Sequence, residues 1–170
     1  MKGHVLLSHG LESGPQATKV TAMATVAEAR GWRTSRPDFR DLDATGQVRY
    51  VDQRIERLCA AITPDEPLVL AGSSLGAFAS GLASLQHRAL GLYLLAPPLA
   101  LPGYGRALEL APVPTAIVHG WHDELIPAEQ VIAWAQARSL ELSLVDDSHR
   151  LAGHVEIIAG WFGQFLDRLV

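Results

Sequence analysis

The stretch AGSSLGAFASG, Ala71–Gly81, determines how the rest of the chain is interpreted. It follows the apolar run Leu68–Leu70 and contains GSSLG, which matches the pattern G-x-S-x-G with Ser74 at its centre. A nucleophile at a tight strand-to-helix turn needs strained backbone angles and small residues two positions before and after it. Ser74 has a glycine at both positions, whereas Ser73 would have the bulky Leu75 two positions later. Ser74 is therefore the predicted nucleophile, and a glycine-rich turn with a serine helix cap is the alternative.

Short apolar runs alternate with helical periodicities on both sides of this stretch. The runs predict strands near residues 5–7, 32–36, 68–71, 91–96, 115–119 and 142–145. Amphipathic patterns predict helices near residues 20–27, 48–62, 75–88, 131–135 and 155–169. Strands that are apolar throughout are typical of parallel sheets covered on both faces. We therefore expect one α/β domain over residues 1–170, a three-layer sandwich with a mostly parallel sheet of about six strands flanked by helices.

Composition and charge argue against several classes of protein. The chain has 170 residues, of which 48% are hydrophobic and 19% charged, as in a globular domain. A net charge of −4 with no run of Lys or Arg argues against a nucleic-acid partner, and no apolar run is long enough for a membrane span. The opening MKGHVLLSHG is too short in apolar residues for a signal peptide. The single cysteine, Cys59, is expected to be a small buried residue rather than a reactive thiol, so a cytoplasmic protein is expected.

A serine nucleophile needs a base to take its proton and an acid to orient that base. In parallel sheets these side chains stand on the loops after the strands, at their carboxyl ends. Asp123 follows the strand at 115–119 within HGWHDELIP, and His149 follows the strand at 142–145 within DDSHRLAG. The sequence therefore predicts Asp123 as the acid and His149 as the base.

Four motifs together resemble one known family: SHGLESGP, AGSSLGA, HGWHDELIP and DDSHRLAG. The chain resembles the α/β-hydrolase superfamily, in the small lidless form of bacterial esterases and serine hydrolases. The order of Ser74, Asp123 and His149 is the order in that family. The resemblance covers nearly the whole chain and implies that the family's first two strands are missing. The first strand here would then lie second from one edge, beside the strand before Ser74, and the usual cap would be reduced to residues 97–112.

The resemblance also implies an oxyanion hole made of two backbone N–H groups. One belongs to Leu75, the residue after the nucleophile, near the positive end of a helix. The other belongs to Leu11, because His9-Gly10-Leu11 resembles the family's H-G-x motif and Gly10 allows close approach. No metal and no organic cofactor is expected for this chemistry.

Several other polar residues are candidates for the base or the acid. His154, at the start of the last helix, is the rival base. His9 and His119 are expected to be structural, hydrogen-bonded histidines, and His122 a loop residue. The rival acids are Glu124, Asp146 and Asp147, the last two of which are expected to be solvated.

An acidic group and an apolar connection are two further candidates for a binding site. Asp38, Asp41 and Asp43, around Arg40, suggest a metal site, but no His or Cys has a matching spacing, so a solvated loop is favoured. The connection at 99–112 is expected to be irregular, with a short helix at most. Its larger apolar residues are equally compatible with a core and with an apolar acyl pocket: Leu99, Leu101, Tyr104 and Leu108.

The sequence thus predicts a serine hydrolase acting on small acyl substrates, carboxylic esters first among them. A thioesterase, an amidase or peptidase-like hydrolase, and a non-catalytic binding protein of the same fold are the alternatives. An open site without a cap favours short acyl groups. The oligomeric state stays open, and a homodimer is compatible with the sequence.

Overall fold

A computed structural model describes residues 1–47 and 49–170. Its strands and helices alternate along the chain as the apolar runs predict. The strands are β1 (His4–Ser8), β2 (Arg33–Ser35), β3 (Leu68–Ser73), β4 (Gly91–Leu95), β5 (Thr115–Gly120) and β6 (Glu141–Val145). The helices are α1 (Thr18–Ala29), α2 (Arg40–Asp43), α3 (Tyr50–Ala60), α4 (Leu75–Ala83), α5 (Ala128–Ala137) and α6 (Val155–Asp167). Val48, which the apolar pattern assigned to the second helix, lies outside the described residues.

The six strands form one sheet in the order β2-β1-β3-β4-β5-β6, and every described pair is parallel. The predicted α/β fold is therefore confirmed, with a wholly rather than mostly parallel sheet. β1 lies second from one edge and pairs with β3, with Leu6 opposite Leu70, as the family resemblance implied. Because the strands are parallel, the loops after β1, β3, β5 and β6 all leave from the same end of the sheet.

Helices cover both faces of the sheet, so each strand alternates between two cores. Val5, Val69 and Tyr93 point to the face covered by α1 and α6. Leu6 and Leu70 point to the opposite face, which is covered by α3, α4 and α5. Burial on both faces explains the continuous apolar runs in these strands, such as Val5–Leu7 and Leu68–Ala71. Helix α4 is the most enclosed of the helices that the structure describes, because all nine of its residues are buried.

The structure corrects three details of the sequence prediction. Helix α4 ends at Ala83 and not near residue 88, because the Ser84 hydroxyl donates to the Gly81 carbonyl at 2.6 Å and closes the last turn. The short helix α2 was not predicted. The connection at 99–112 is irregular, as expected, and contains no helix. That connection instead lies across α4, where a Cβ added to Gly81 would stand 2.7 Å from the Leu108 side chain. Cys59 is half-buried rather than buried, and burial raises the pKa of its thiol.

None of the helices in residues 1–47 and 49–170 has the length and hydropathy needed to cross a bilayer.

Candidate active site

Ser74 stands between β3 and α4 in a backbone conformation that is rare for a residue with a side chain. Its φ is 54° and its ψ is −118°, and its N–H donates to the Leu95 carbonyl at 2.8 Å. The two flanking glycines make this turn possible. A Cβ on Gly72 would lie 2.4 Å from the Gly76 carbonyl carbon, and a Cβ on Gly76 would lie 2.1 Å from the Ser8 carbonyl oxygen. Only glycine fits at these two positions, and this is the physical content of the G-x-S-x-G pattern.

Ser74, His149 and Asp123 form a continuous chain of hydrogen bonds. The Ser74 Oγ lies 2.9 Å from His149 Nε2, and His149 Nδ1 lies 2.7 Å from Asp123 Oδ2. A carboxylate only accepts, so Nδ1 carries the ring hydrogen and Nε2 is free to accept the serine proton. The structure therefore brings together the three side chains that the sequence selected, with Ser74 rather than Ser73 against the imidazole.

The Asp123 carboxylate is buried and has partners on both oxygens. Oδ1 accepts from the N–H groups of Leu125 at 2.9 Å and Ile126 at 2.7 Å. Oδ2 faces His149 and also lies 3.3 Å from His119 Nε2. Two backbone N–H groups and the ring of His119 therefore surround this carboxylate in addition to His149.

His119 is more than the satisfied core histidine that the sequence predicted. Its ring is fully buried, and Nε2 lies 2.8 Å from the Ile126 carbonyl, which can only accept. Nε2 therefore carries the hydrogen and donates it to that carbonyl, with Asp123 Oδ2 nearby at 3.3 Å. Among the described residues, Nδ1 has no hydrogen-bond partner, so only one of the two ring nitrogens is satisfied.

The loops after β5 and β6 approach each other closely enough for the Asp123 carboxylate to reach the His149 ring. A Cβ on Gly120 would lie 2.4 Å from the Asp147 carbonyl oxygen, and that oxygen accepts from the His122 N–H at 3.0 Å. The Asp147 side chain, predicted to be solvated, binds inside its own loop. It accepts from the N–H groups of Ser148 at 2.8 Å and Gly153 at 2.9 Å, and it pairs with His154 Nδ1 at 2.8 Å. These bonds, the one from His154 first, lower the pKa of Asp147.

The rival residues have other partners. His154 is bound to Asp147, and His122 pairs at 2.8 Å with Asp146 in an exposed position. The Glu124 carboxylate accepts from the backbone N–H of His149 at 3.2 Å instead of meeting the imidazole. His9 has the predicted structural role, because Nδ1 donates to the Gly10 carbonyl at 2.8 Å.

Two cavities meet at Ser74. The larger is an open cleft of about 660 Å³ with charged residues along its sides: Glu12, Lys19, Glu124 and Arg150. The smaller, here called the apolar recess, has a volume of about 250 Å³ and is lined mainly by Leu75, Val51, Pro98, Leu101 and Tyr104. Leu11 lines both cavities. Of the apolar residues in the 99–112 connection, Leu101 and Tyr104 line the recess and also pack against the core, Leu99 packs against the core, and Leu108 is buried in it.

Sequence reasoning missed a buried ion pair beneath the loop after β1. Arg54 is fully buried and binds Asp43 through two hydrogen bonds of 3.0 and 2.9 Å. Asp43 is therefore not part of a solvated loop, although Asp38 and Asp41 do form exposed pairs with arginines. The signal was present in the sequence, because Arg54 lies three residues after Val51 and four before Leu58, on the buried stripe of α3. Among the described residues, no group of acidic, His or Cys side chains could hold a metal ion.

Comparison with known proteins identifies the family. A family model described as an alpha/beta hydrolase domain matches residues 1–155. The chain belongs to the α/β-hydrolase superfamily. No curated protein sequence matches this α/β hydrolase.

Solved structures of other α/β hydrolases share the whole fold. A protein of the α/β-hydrolase superfamily from Xanthomonas campestris pv. campestris is 52% identical, with a TM-score of 0.93 over 98% of this chain and 99% of its own. The alpha/beta hydrolase domain-containing protein 10 from mouse is 16% identical, with a TM-score of 0.78 over 100% of this chain and 93% of its own. A serine hydrolase without a lid from Xanthomonas campestris is 20% identical, with a TM-score of 0.66 over 98% and 82%. The latter two likenesses are of fold alone.

Proposed function

We propose that this α/β hydrolase is a serine hydrolase that cleaves small acyl substrates, carboxylic esters first among them. The observation that carries the proposal is the hydrogen-bonded chain from Ser74 Oγ through His149 to the buried Asp123, at 2.9 and 2.7 Å. These hydrogen bonds place His149, in the tautomer that can accept a proton, beside the Ser74 hydroxyl. A serine nucleophile requires such a base at neutral pH. The position of Ser74 where the two cavities meet gives a substrate access to it.

In the proposed mechanism, Ser74 Oγ attacks the carbonyl carbon while its proton passes to His149 Nε2. The carbonyl π electrons move to oxygen, which becomes an oxyanion. When that intermediate collapses, the bond to the alcohol oxygen breaks and His149 returns the proton to it, leaving an acyl group on Ser74. Water, deprotonated by His149, then attacks the acyl carbon; the bond to Ser74 Oγ breaks, His149 returns the proton to that oxygen, and the acid leaves. Asp123 stabilises the imidazolium that forms in both halves of the cycle.

We assign the oxyanion to the backbone N–H groups of Leu75 and Leu11. Two observations support this assignment. Among the described residues neither N–H donates a backbone hydrogen bond, so both are available to a ligand. Both residues also line the apolar recess beside Ser74. Leu75 is the first residue of α4, where the helix dipole favours negative charge.

We assign the acyl group to the apolar recess and the leaving group to the open cleft. The walls of the recess are aliphatic and aromatic, whereas four charged residues border the cleft. At about 250 Å³, the recess is smaller than the roughly 300–1,000 Å³ of sites for drug-sized ligands. Short acyl groups therefore fit, and kcat/KM for p-nitrophenyl esters should fall from butyrate to decanoate. A steady rise in kcat/KM along that series would contradict the assignment.

The test of the proposed function is turnover of p-nitrophenyl acetate and butyrate by the wild-type protein, Ser74→Ala and Ser73→Ala. Loss in Ser74→Ala with retention in Ser73→Ala is expected, and labelling by a fluorophosphonate probe should follow the same pattern. Matched thioester and amide substrates then separate an esterase from a thioesterase or an amidase. A wild-type protein that neither turns over an ester nor accepts the probe would be a binding protein of this fold instead.

A further inference from the structure

One peptide unit links the buried ion pair to the proposed oxyanion hole. The N–H of Leu11, assigned above as an oxyanion donor, belongs to the same planar unit as the Gly10 carbonyl. That carbonyl accepts from His9 Nδ1 at 2.8 Å and from Arg54 Nη2 at 3.3 Å. Because the peptide unit is rigid and trans, fixing its oxygen also fixes the direction of its N–H on the opposite side.

Arg54 is anchored firmly enough to fix this peptide. Its other terminal nitrogen, Nη1, donates to the His9 carbonyl at 2.7 Å, so the guanidinium spans two consecutive carbonyls. Asp43 holds it from one side through two hydrogen bonds, and the Phe39 ring lies 4.4 Å from its central carbon. A fully buried, always charged guanidinium with these partners has no freedom to move away from the loop.

The loop held by Arg54 also touches the nucleophile. A Cβ on Gly10 would lie 3.3 Å from the Ser73 carbonyl oxygen and 3.5 Å from the Ser74 Cβ. A small shift of the Gly10 peptide therefore changes where Leu11 N–H points relative to Ser74. Donors on the carbonyl oxygen also polarise the peptide and strengthen its N–H as a donor.

We propose that Arg54, with Asp43 behind it, is a positioning residue that orients and polarises the Leu11 N–H of the oxyanion hole. This inference rests on the proposed serine-hydrolase function. Removal of an oxyanion donor costs about 100- to 1,000-fold in rate, so misdirecting one donor should cost about 10- to 100-fold. The loss should appear in kcat more than in KM, because the oxyanion exists only beyond the ground state.

The test compares an oxygen ester with its thionoester, in which sulfur replaces the carbonyl oxygen. Sulfur is a weak hydrogen-bond acceptor, so the ratio of the two acylation rates reports on the oxyanion donors. p-Nitrophenyl butyrate and thionobutyrate are measured with enzyme in excess, using the wild-type protein, Arg54→Lys and Leu58→Ala. Lysine keeps a positive charge beside Asp43 but lacks the fork that spans two carbonyls. Leu58→Ala is the matched control, since it weakens the buried face of α3 within a core cluster that contains no residue of the loop after β1.

Arg54→Lys is expected to lower the oxygen-ester rate about 10- to 100-fold and the thionoester rate much less. Leu58→Ala should leave the ratio of the two rates as in the wild type. An equal loss for both substrates in Arg54→Lys, or no loss, would overturn the proposal and leave Arg54 a purely structural residue. If Arg54→Lys does not fold, the double variant Asp43→Asn, Arg54→Gln, which leaves no unpaired buried charge, undergoes the same comparison. Failure of the function itself is distinct, because the wild type would then hydrolyse neither substrate and accept no fluorophosphonate.

Discussion

Asp123→Asn is the substitution whose outcome the hydrogen bonds fix most completely. The carboxylate oxygen Oδ1 faces two backbone N–H groups, so the amide oxygen of an asparagine must take that place. Its NH₂ group is then forced toward His149 Nδ1 and His119 Nε2, both of which already carry hydrogens. His149 relieves the clash by moving its hydrogen to Nε2, where Ser74 needs an acceptor. His149, the proposed base, then cannot accept the Ser74 proton, although the side chain at position 123 has kept its shape.

The expected effect is a loss of about 10⁴-fold in kcat, or about 5 kcal/mol of transition-state stabilisation. Folding should survive, because the two backbone N–H groups keep their acceptor. Asp123→Ala, in contrast, leaves both unsatisfied at about 1–3 kcal/mol each. Turnover of p-nitrophenyl butyrate and thermal unfolding measure the two effects, with the exposed Asp146→Asn as the control that keeps wild-type rates. An Asp123→Asn protein within tenfold of the wild type would refute the reasoning.

Three further predictions concern stability. Gly76→Ala should lower the free energy of unfolding by more than about 3 kcal/mol, because its Cβ would meet a backbone oxygen. Gly160→Ala, on the open face of α6, should instead raise it by about 0.5–1 kcal/mol. Equal unfolding midpoints for the two variants would contradict this prediction. Burial lowers the pKa of His4 in the folded protein, so folding favours its neutral ring. The resulting contribution to the free energy of unfolding is complete above about pH 6.5 and is lost as the pH falls toward the lowered folded pKa. His4→Gln should reduce the slope of the unfolding free energy against pH, between pH 7 and 5, by up to about 1.4 kcal/mol per pH unit. An unchanged slope would contradict this role of His4. The pKa of Asp147 is lowered, chiefly by its bond from His154, so Asp147→Asn should lower the free energy of unfolding by about 1 kcal/mol at pH 7. The difference between variant and wild type should vanish as the pH falls through the lowered folded pKa. A difference that persists in acid would show another cause.

The sheet and the selection of Ser74 were predictable because local patterns carry them. Apolar runs such as Leu68–Leu70 must be covered on both faces, and that requirement alone indicates a parallel sheet. The loops that follow the strands then bring Ser74, Asp123 and His149 to the same end of the sheet. Here the spacing of residues in the sequence maps directly onto a spatial arrangement.

The remaining features depend on contacts between distant segments, which no local pattern encodes. Helix α4 stops at Ala83 because of a hydroxyl–carbonyl bond and the approach of the 99–112 connection. His119 was predicted as a satisfied histidine because nothing in the sequence places Asp123 beside its ring. Arg54 lies on the buried stripe of α3, but its ion pair was missed because its partner Asp43 and both carbonyls come from other elements.

The Arg54–Asp43 pair has a consequence for anyone who redesigns this protein for heat resistance. Burying two charges costs several kcal/mol per ion, and replacing such pairs by apolar residues is often neutral or stabilising. A redesign driven by stability alone would therefore favour an aliphatic pair at positions 43 and 54. On the proposed role of Arg54, such a protein would withstand higher temperatures but hydrolyse its substrate more slowly, and the loss would arise at the Leu11 N–H, a group that neither substitution replaces.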